Sequence, residues 1–142
     1  MLLLDVNVLI YANRLDADRH EEYRQWVLGV VGGDEPYAVS DFVINGYLRI
    51  VTDRRIYKNP TKLEEALLFA DGIRNQEHAV AINPGSRHWS IFNDLCRQAD
   101  AKGKLLPDAY LAALAIEHRC EFISTDRDFG RFPGLRWRRP LG

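Results

Sequence analysis

The chain begins with a short run of leucines that ends in a carboxylate. Leu2–Leu4 are all apolar and are followed at once by Asp5. Such a run indicates a strand buried on both faces, as a central strand of a parallel sheet is. Since ligands of open α/β sheets bind just beyond the carboxyl ends of the strands, Asp5 lies where a functional carboxylate is expected. The ordinary alternative is that Asp5 and Asn7 only turn the chain, with Asn7 capping a helix that begins at Val8.

Length and composition limit the class of protein. The 142 residues fit a single domain, 1–142, and 46% hydrophobic residues can build a substantial core. The formal net charge of −1 gives no general argument for nucleic-acid binding but leaves room for a local basic surface. Two cysteines, Cys96 and Cys120, make no disulfide framework and are expected to be buried thiols. Because no signal-peptide pattern or long apolar run is visible, we expect a cytoplasmic protein outside the membrane.

Strand-like and helix-like segments alternate along the whole chain. Between the strand segments, apolar residues recur at the i, i+3, i+4, i+7 spacing of amphipathic helices. This alternation predicts an α/β fold with a parallel sheet. The predicted strands are Leu2–Leu4, Tyr37–Val39, His78–Ile82, Glu121–Ser124 and an edge strand at Leu135–Trp137.

Three further carboxylates stand at comparable positions. Asp108 follows Pro107 in the first turn of a predicted helix, and Asp126 and Asp128 follow a late strand. If the strands are parallel neighbours, their carboxyl ends open into one cleft, where Asp5 and Asp126 face each other and Asp108 joins them. Each acid alone is well explained as a cap or as a favourable charge at a helix start. Their joint placement on one face favours a functional cluster.

Clustered carboxylates of this kind favour a bound cation. At an effective dielectric constant of 20, two negative charges 4 Å apart repel by roughly 4 kcal/mol. Oxygen ligands without cysteine suit hard ions such as Mg²⁺ or Mn²⁺. Such an ion polarises a phosphoryl oxygen and lowers the pKa of bound water, so the pattern is typical of metal-assisted hydrolysis.

Three segments together resemble the PIN domain, and most closely the VapC-type toxins of type II toxin–antitoxin systems. They read LLLDVNVLIYA, LLPDAYLAALAIEHRCEF and STDRDFGRFPGLRW, and the resemblance spans the chain. It implies a single PIN domain with a PIN-like α/β/α sandwich and a central parallel sheet. It also implies an Mg²⁺- or Mn²⁺-dependent endoribonuclease that hydrolyses RNA phosphodiester bonds with a metal-activated water. The implied partners are a cognate antitoxin, the RNA substrate and a second copy in a homodimer.

The resemblance assigns roles to individual residues. Asp5, Asp108 and Asp126 match the metal-binding, catalytic acids of the family, and Asp128 matches the next acidic, catalytic position. Thr125 matches the hydroxyl residue before Asp126 and is expected to support the cleft.

The chain departs from the family where many members carry a glutamate, a few residues before an arginine. That position falls on Asn45 or Gly46, before Arg49. Asn45 is the possible neutral substitute, offering an amide oxygen directly or through water. The lost charge should weaken binding of a second metal ion.

Several surface assignments remain open at this stage. Arg127 and Arg131 are candidate substrate-binding residues, and a solvated basic surface explains them equally well. Trp26 and Tyr47 are candidate anchors for the antitoxin, and they also fit as core residues.

Two other functions compete with the nuclease. The segment DVNVL loosely resembles the nucleophilic motif of haloacid dehalogenase-like phosphatases, although the second acid of that motif is replaced by Asn7. A non-catalytic PIN-fold module that binds another protein is favoured only by the missing glutamate.

Overall fold

Five parallel strands form the centre of the structure, a computed structural model that describes all residues from Met1 to Gly142. The strands are β1 (Leu2–Leu4), β2 (Tyr37–Val39), β3 (Ala79–Ala81), β4 (Glu121–Ile123) and β5 (Trp137–Arg138). The helices are α1 (Val6–Asn13), α2 (His20–Val31), α3 (Asp41–Val51), α4 (Leu63–Arg74), α5 (His88–Ala99) and α6 (Leu105–Glu117). A short 3₁₀ helix, Arg127–Arg131, follows β4.

The strand order is β3-β2-β1-β4-β5, and every pair is parallel. Right-handed crossovers place α1–α4 on one face of the sheet, since these connections run outward from β1 to β3. The connection from β3 back to β4 runs the opposite way and places α5 and α6 on the other face. The predicted α/β/α sandwich with a central parallel sheet is therefore confirmed.

The start of one helix, α1, differs from the sequence prediction. Asp5 caps α1, since its Oδ1 accepts the Val6 N–H at 2.7 Å. The prediction that Asn7 caps this helix is wrong, because Asn7 is the second residue of α1. At the start of α6, Pro107 is the third helical residue and lies in the first turn, as predicted, where a missing N–H costs no helical hydrogen bond.

One apolar cluster of 32 buried residues packs the helices onto the sheet. Tyr47 is wholly buried and lies against Phe69, so it cannot anchor a partner, and that prediction is wrong. Trp26 is partly buried and packs against the core. Cys120 is buried, whereas Cys96 is only half-buried. None of the helices has the length and apolar character needed to cross a membrane.

A buried carboxylate at the end of α6 holds the loop before α5. The Glu117 oxygens accept the backbone N–H groups of Gly85 at 2.8 Å and Arg87 at 3.0 Å. Burial raises the pKa of Glu117, but the hydrogen bonds from these N–H groups outweigh it and leave the pKa lowered. The loop is thus fixed by a charged group that must stay ionised.

A buried cation at the end of α1 holds the segment between α3 and α4. Arg14 donates to both Asp16 carboxylate oxygens and to the Asn59 carbonyl, and its guanidinium lies 3.8 Å from the Tyr57 ring centre. The Arg14 side chain therefore links the loop after α1 to the loop between α3 and α4.

Candidate metal centre at the carboxyl edge of the sheet

The strand order reverses direction at β1, and this places a crevice between the carboxyl ends of β1 and β4. From β1 the chain moves towards β2 on one side, whereas β4 lies on the other side. Leu4 pairs with Ile123, so Asp5 and Ser124 leave the sheet side by side, and the Asp5 N–H donates to the Ile123 carbonyl at 2.9 Å. Such reversal points are where open α/β sheets bind ligands.

Asp5 is held rigidly at the floor of this crevice. The residue is only 7% exposed, and both carboxylate oxygens accept hydrogen bonds, Oδ1 from the Val6 N–H and Oδ2 from the Ser124 hydroxyl at 2.6 Å. Burial raises the pKa of Asp5, and the two hydrogen bonds oppose that rise without cancelling it. Burial therefore destabilises the ionised form of Asp5, and a nearby positive charge would stabilise it.

Three other carboxylates converge beside Asp5. Oxygens of Asp108, Asp126 and Asp128 all lie within 4.8 Å of one another. Asp108 comes from the first turn of α6, whereas Asp126 caps the 3₁₀ helix by accepting the Asp128 N–H at 2.9 Å. This cap turns the chain between Asp126 and Asp128, so their carboxylates lie close together although the residues are two apart in sequence.

The electrostatics of the cluster fit a divalent cation. Burial raises the pKa of Asp108 to about 6, with further contributions from the charges of Asp126, Asp5 and Asp128, and Lys104 opposes them. A cation bound among these oxygens would relieve the repulsion, and an all-oxygen donor set suits Mg²⁺ or Mn²⁺. The residues present therefore fit the metal that the sequence predicts.

The grouping differs in detail from the predicted ligand set of Asp5, Asp108 and Asp126. The structure brings Asp128 into the close group with Asp108 and Asp126. Asp5 lies outside that group, although it is near enough to raise the pKa of Asp108.

The α3 helix contributes no carboxylate to this site. Asn45 is exposed and makes no side-chain hydrogen bond, and its role as a neutral substitute stays a prediction. Gly46 faces α1, where an added Cβ would lie 3.0 Å from Cγ2 of Val6, the residue after Asp5. A side chain at this position would need Val6 to move.

The hydroxyl that contacts the acidic residues is that of Ser124 and not that of the predicted Thr125. The Thr125 side chain makes no hydrogen bond, whereas Ser124 contacts Asp5, Asn7 and the Asp126 backbone. Ser124 ended the predicted fourth strand, so the strand-end rule that selected Asp5 could have selected Ser124 as well.

Basic side chains are exposed on the same segments as the acidic cluster. Arg127 is exposed between Asp126 and Asp128 and has no ion pair or hydrogen bond. Arg131 is also exposed, and its Nη2 donates to the Ala99 carbonyl at 3.5 Å. Lys104 is exposed one turn before Asp108 and has no ion pair. The two segments that carry Asp108, Asp126 and Asp128 thus also carry exposed positive charge.

Comparison with known proteins defines the class. The family model described as PIN domain matches residues 2–135. Among solved structures, VapBC2 from Rickettsia felis bound to a DNA fragment from their promoter matches with a TM-score of 0.71 at 18% identity, over 97% of each chain. The chain belongs to the PIN domain family.

Within this family, the curated relatives that match the chain are named as VapC ribonucleases. Ribonuclease VapC31 of Mycobacterium tuberculosis is 43% identical over 140 residues, which cover 99% of each protein. VapC ribonuclease Mb2897 of Mycobacterium bovis is 42% identical over 141 residues, covering 99% of this chain and 96% of the relative.

Proposed function

We propose that this protein is a metal-dependent endoribonuclease that acts in the cytoplasm as the toxin of a toxin–antitoxin pair. The observation that carries this proposal is the convergence of Asp108, Asp126 and Asp128 beside Asp5 at the sheet crevice. It is supported by 43% identity to a protein named as a ribonuclease. Membership of the PIN family sets the phosphatase alternative aside.

The proposed ligands of the ion are Asp5, Asp108 and Asp126, and Asp128 lies close enough to bind it or to orient the attacking water. When bound, an Mg²⁺ or Mn²⁺ ion supplies Lewis acidity towards a phosphoryl oxygen and lowers the pKa of bound water. Because α3 provides no carboxylate, we propose one ion per chain rather than two. Calorimetric titration with Mn²⁺ measures this stoichiometry, and two equivalent sites per chain would refute it.

We propose that Arg127, Arg131 and Lys104 bind phosphate groups of the RNA beside the carboxylates. Arg127 and Lys104 have no ion pair in the protein, so their charges are free for a polyanion. Such contacts position the chain without reading its sequence. They also reduce the repulsion between the RNA backbone and the acidic cluster.

The activity is tested by incubating RNA with the purified protein in Mn²⁺ and in chelator. We expect cleavage only with metal, and a loss of roughly 100-fold or more in Asp5→Asn and Asp108→Asn. Asp94→Asn removes an exposed acid of α5 whose only partner is Arg97 at 4.0 Å, and it serves as the control. If Asp108→Asn cut RNA as fast as wild type, the site assignment would be wrong. A wild-type protein that binds Mn²⁺ but cuts no RNA would favour the non-catalytic module.

We propose that a cognate antitoxin binds the groove between α2 and α4. Val27, Leu28 and Phe69 line this groove, and Leu15 beside it is 87% exposed. An apolar helix face fits such a surface. Co-expression with the product of the neighbouring reading frame should give a stable complex without ribonuclease activity. Leu28→Asp should weaken that complex, and a neighbour that neither binds nor inhibits would reject the partner.

We propose that a second copy of the chain covers an aromatic surface formed by α3, α5 and α6. The Phe42 ring stacks on Tyr110 at 4.7 Å, and the Trp89 ring lies 5.7 Å from Phe92. Phe42 is 45% exposed and Trp89 is 71% exposed, and exposed aromatic residues are enriched at protein interfaces. Sedimentation should show a dimer that Trp89→Asp dissociates, and a monomeric wild type would refute this proposal.

A further inference from the structure

Ser124 is the most highly connected side chain at the acidic edge. It is wholly buried where β4 ends. Its hydroxyl lies 2.6 Å from Asp5 Oδ2, 3.0 Å from the Asp126 backbone nitrogen and 3.4 Å from Asn7 Nδ2. One oxygen therefore joins the residue that follows β1, a residue of α1 and the segment after β4.

The chemistry of these partners fixes the direction of each hydrogen bond. An N–H group can only donate, so the Asp126 backbone and the Asn7 amide must donate to the Ser124 oxygen. The single hydroxyl proton is then free for the third partner, the Asp5 carboxylate. A serine hydroxyl has one proton and two lone pairs, so Ser124 uses its whole hydrogen-bonding capacity here.

The same network fixes the orientation of Asn7. Its Oδ1 is buried without a hydrogen-bond partner, which is uncommon in folded proteins. Reversing the amide would place Oδ1 against the Ser124 oxygen, whose only proton is already committed to Asp5. The orientation with Nδ2 towards Ser124 is therefore the one that the hydroxyl permits.

We infer that Ser124 is a positioning residue that sets Asp5 and Asp126 in a fixed relation before any cation binds. The inference rests on the proposed function for the identity of the site. Ser124 contacts no metal or substrate itself, and it acts through the carboxylate of Asp5 and the peptide of Asp126. Partners of metal-binding side chains typically change metal affinity or activity by about 10- to 100-fold when they are removed.

The test compares Ser124→Ala with Thr125→Ala, which removes the adjacent hydroxyl that makes no hydrogen bond. Calorimetry on metal-free protein should show Mn²⁺ affinity about 10- to 100-fold weaker in Ser124→Ala and unchanged in Thr125→Ala. Amide hydrogen exchange of Asp126, measured without metal, should accelerate only in Ser124→Ala. RNA cleavage should lose kcat with little change in KM, since the phosphate contacts are intact.

Each failure has a separate meaning. Wild-type Mn²⁺ affinity in Ser124→Ala, or an equal loss in Thr125→Ala, would overturn the inference. A wild type that binds Mn²⁺ without cutting RNA would refute the nuclease proposal, while the metal and exchange measurements would still decide the role of Ser124. If Ser124→Ala does not fold, Ser124→Cys fills the same place with a weak donor. Weakened Mn²⁺ binding in that variant supports the inference, and wild-type binding overturns it.

Discussion

Neutralising Asp108 should stabilise the metal-free protein while removing metal binding. Asp108→Asn keeps the shape of the side chain but takes one negative charge away from Asp126 and Asp128, whose oxygens lie within 4.8 Å. The carboxylate cluster costs folding energy when no cation is present, because like charges are held together in a partly buried place. The variant therefore shows the effect of this charge on metal binding separately from its effect on folding stability.

The size of the effect follows from the pKa of Asp108. Burial and the neighbouring carboxylates raise that pKa from 3.8 to about 6. At 1.36 kcal/mol per pKa unit the upper limit is roughly 3 kcal/mol, and solvent screening of this half-exposed group reduces it to about 1–2 kcal/mol. For a chain of this size, that corresponds to a rise in Tm of about 3–8 °C.

Thermal unfolding followed by circular dichroism measures the stability of the metal-free protein in chelator and the stabilisation by metal in Mn²⁺. In chelator at neutral pH, Asp108→Asn should melt above wild type. Because the folded-state pKa is raised, the difference should be complete above pH 6 and should disappear as the pH falls below 3.8. Saturating Mn²⁺ should reverse the order, since wild type gains about 2.7 kcal/mol at 100 times Kd and the variant gains much less.

Two results would refute this reasoning. One is a metal-free Asp108→Asn protein that melts below wild type at neutral pH, which would mean that the carboxylate makes a stabilising contact. The other is an equal gain from Mn²⁺ in the variant and wild type, which would place the ion elsewhere. Asp94→Asn controls for the general effect of removing a surface charge and should change Tm little.

Glu117→Gln should lower Tm by about 3–9 °C, because one partly buried backbone N–H loses its acceptor at about 1–3 kcal/mol. Since the pKa of Glu117 is lowered, melts repeated at decreasing pH should show this difference shrinking below pH 4.5. Lys104→Ala should reduce the salt dependence of RNA binding, measured by fluorescence anisotropy, by about 0.7 in logarithmic slope. Lys102→Ala should not, because Lys102 pairs with Asp100 at 3.2 Å. Arg14→Ala should cost about 2–4 kcal/mol in urea unfolding, and Arg14→Lys should recover little of it, because lysine lacks the planar group that stacks on Tyr57.

Much of the fold follows from local patterns in the chain. The leucine run at Leu2–Leu4 and the segment Tyr37–Val39 are strands with the predicted bounds. The alternation of strand and helix patterns correctly predicts the parallel sheet, because buried parallel strands and amphipathic helices leave different periodicities. The start of α1 is harder to predict, since Asp5 and Asn7 are both good cap residues.

The sequence alone also placed Asp5, Asp108 and Asp126 at strand ends and a helix start, because those positions are local properties. Only the tertiary structure decided how they meet. The pairing of Leu4 with Ile123 brings Ser124 rather than Thr125 against Asp5. Periodicity indicates which residues lie at the end of a strand, but the relative register of two strands distant in sequence depends on packing throughout the core.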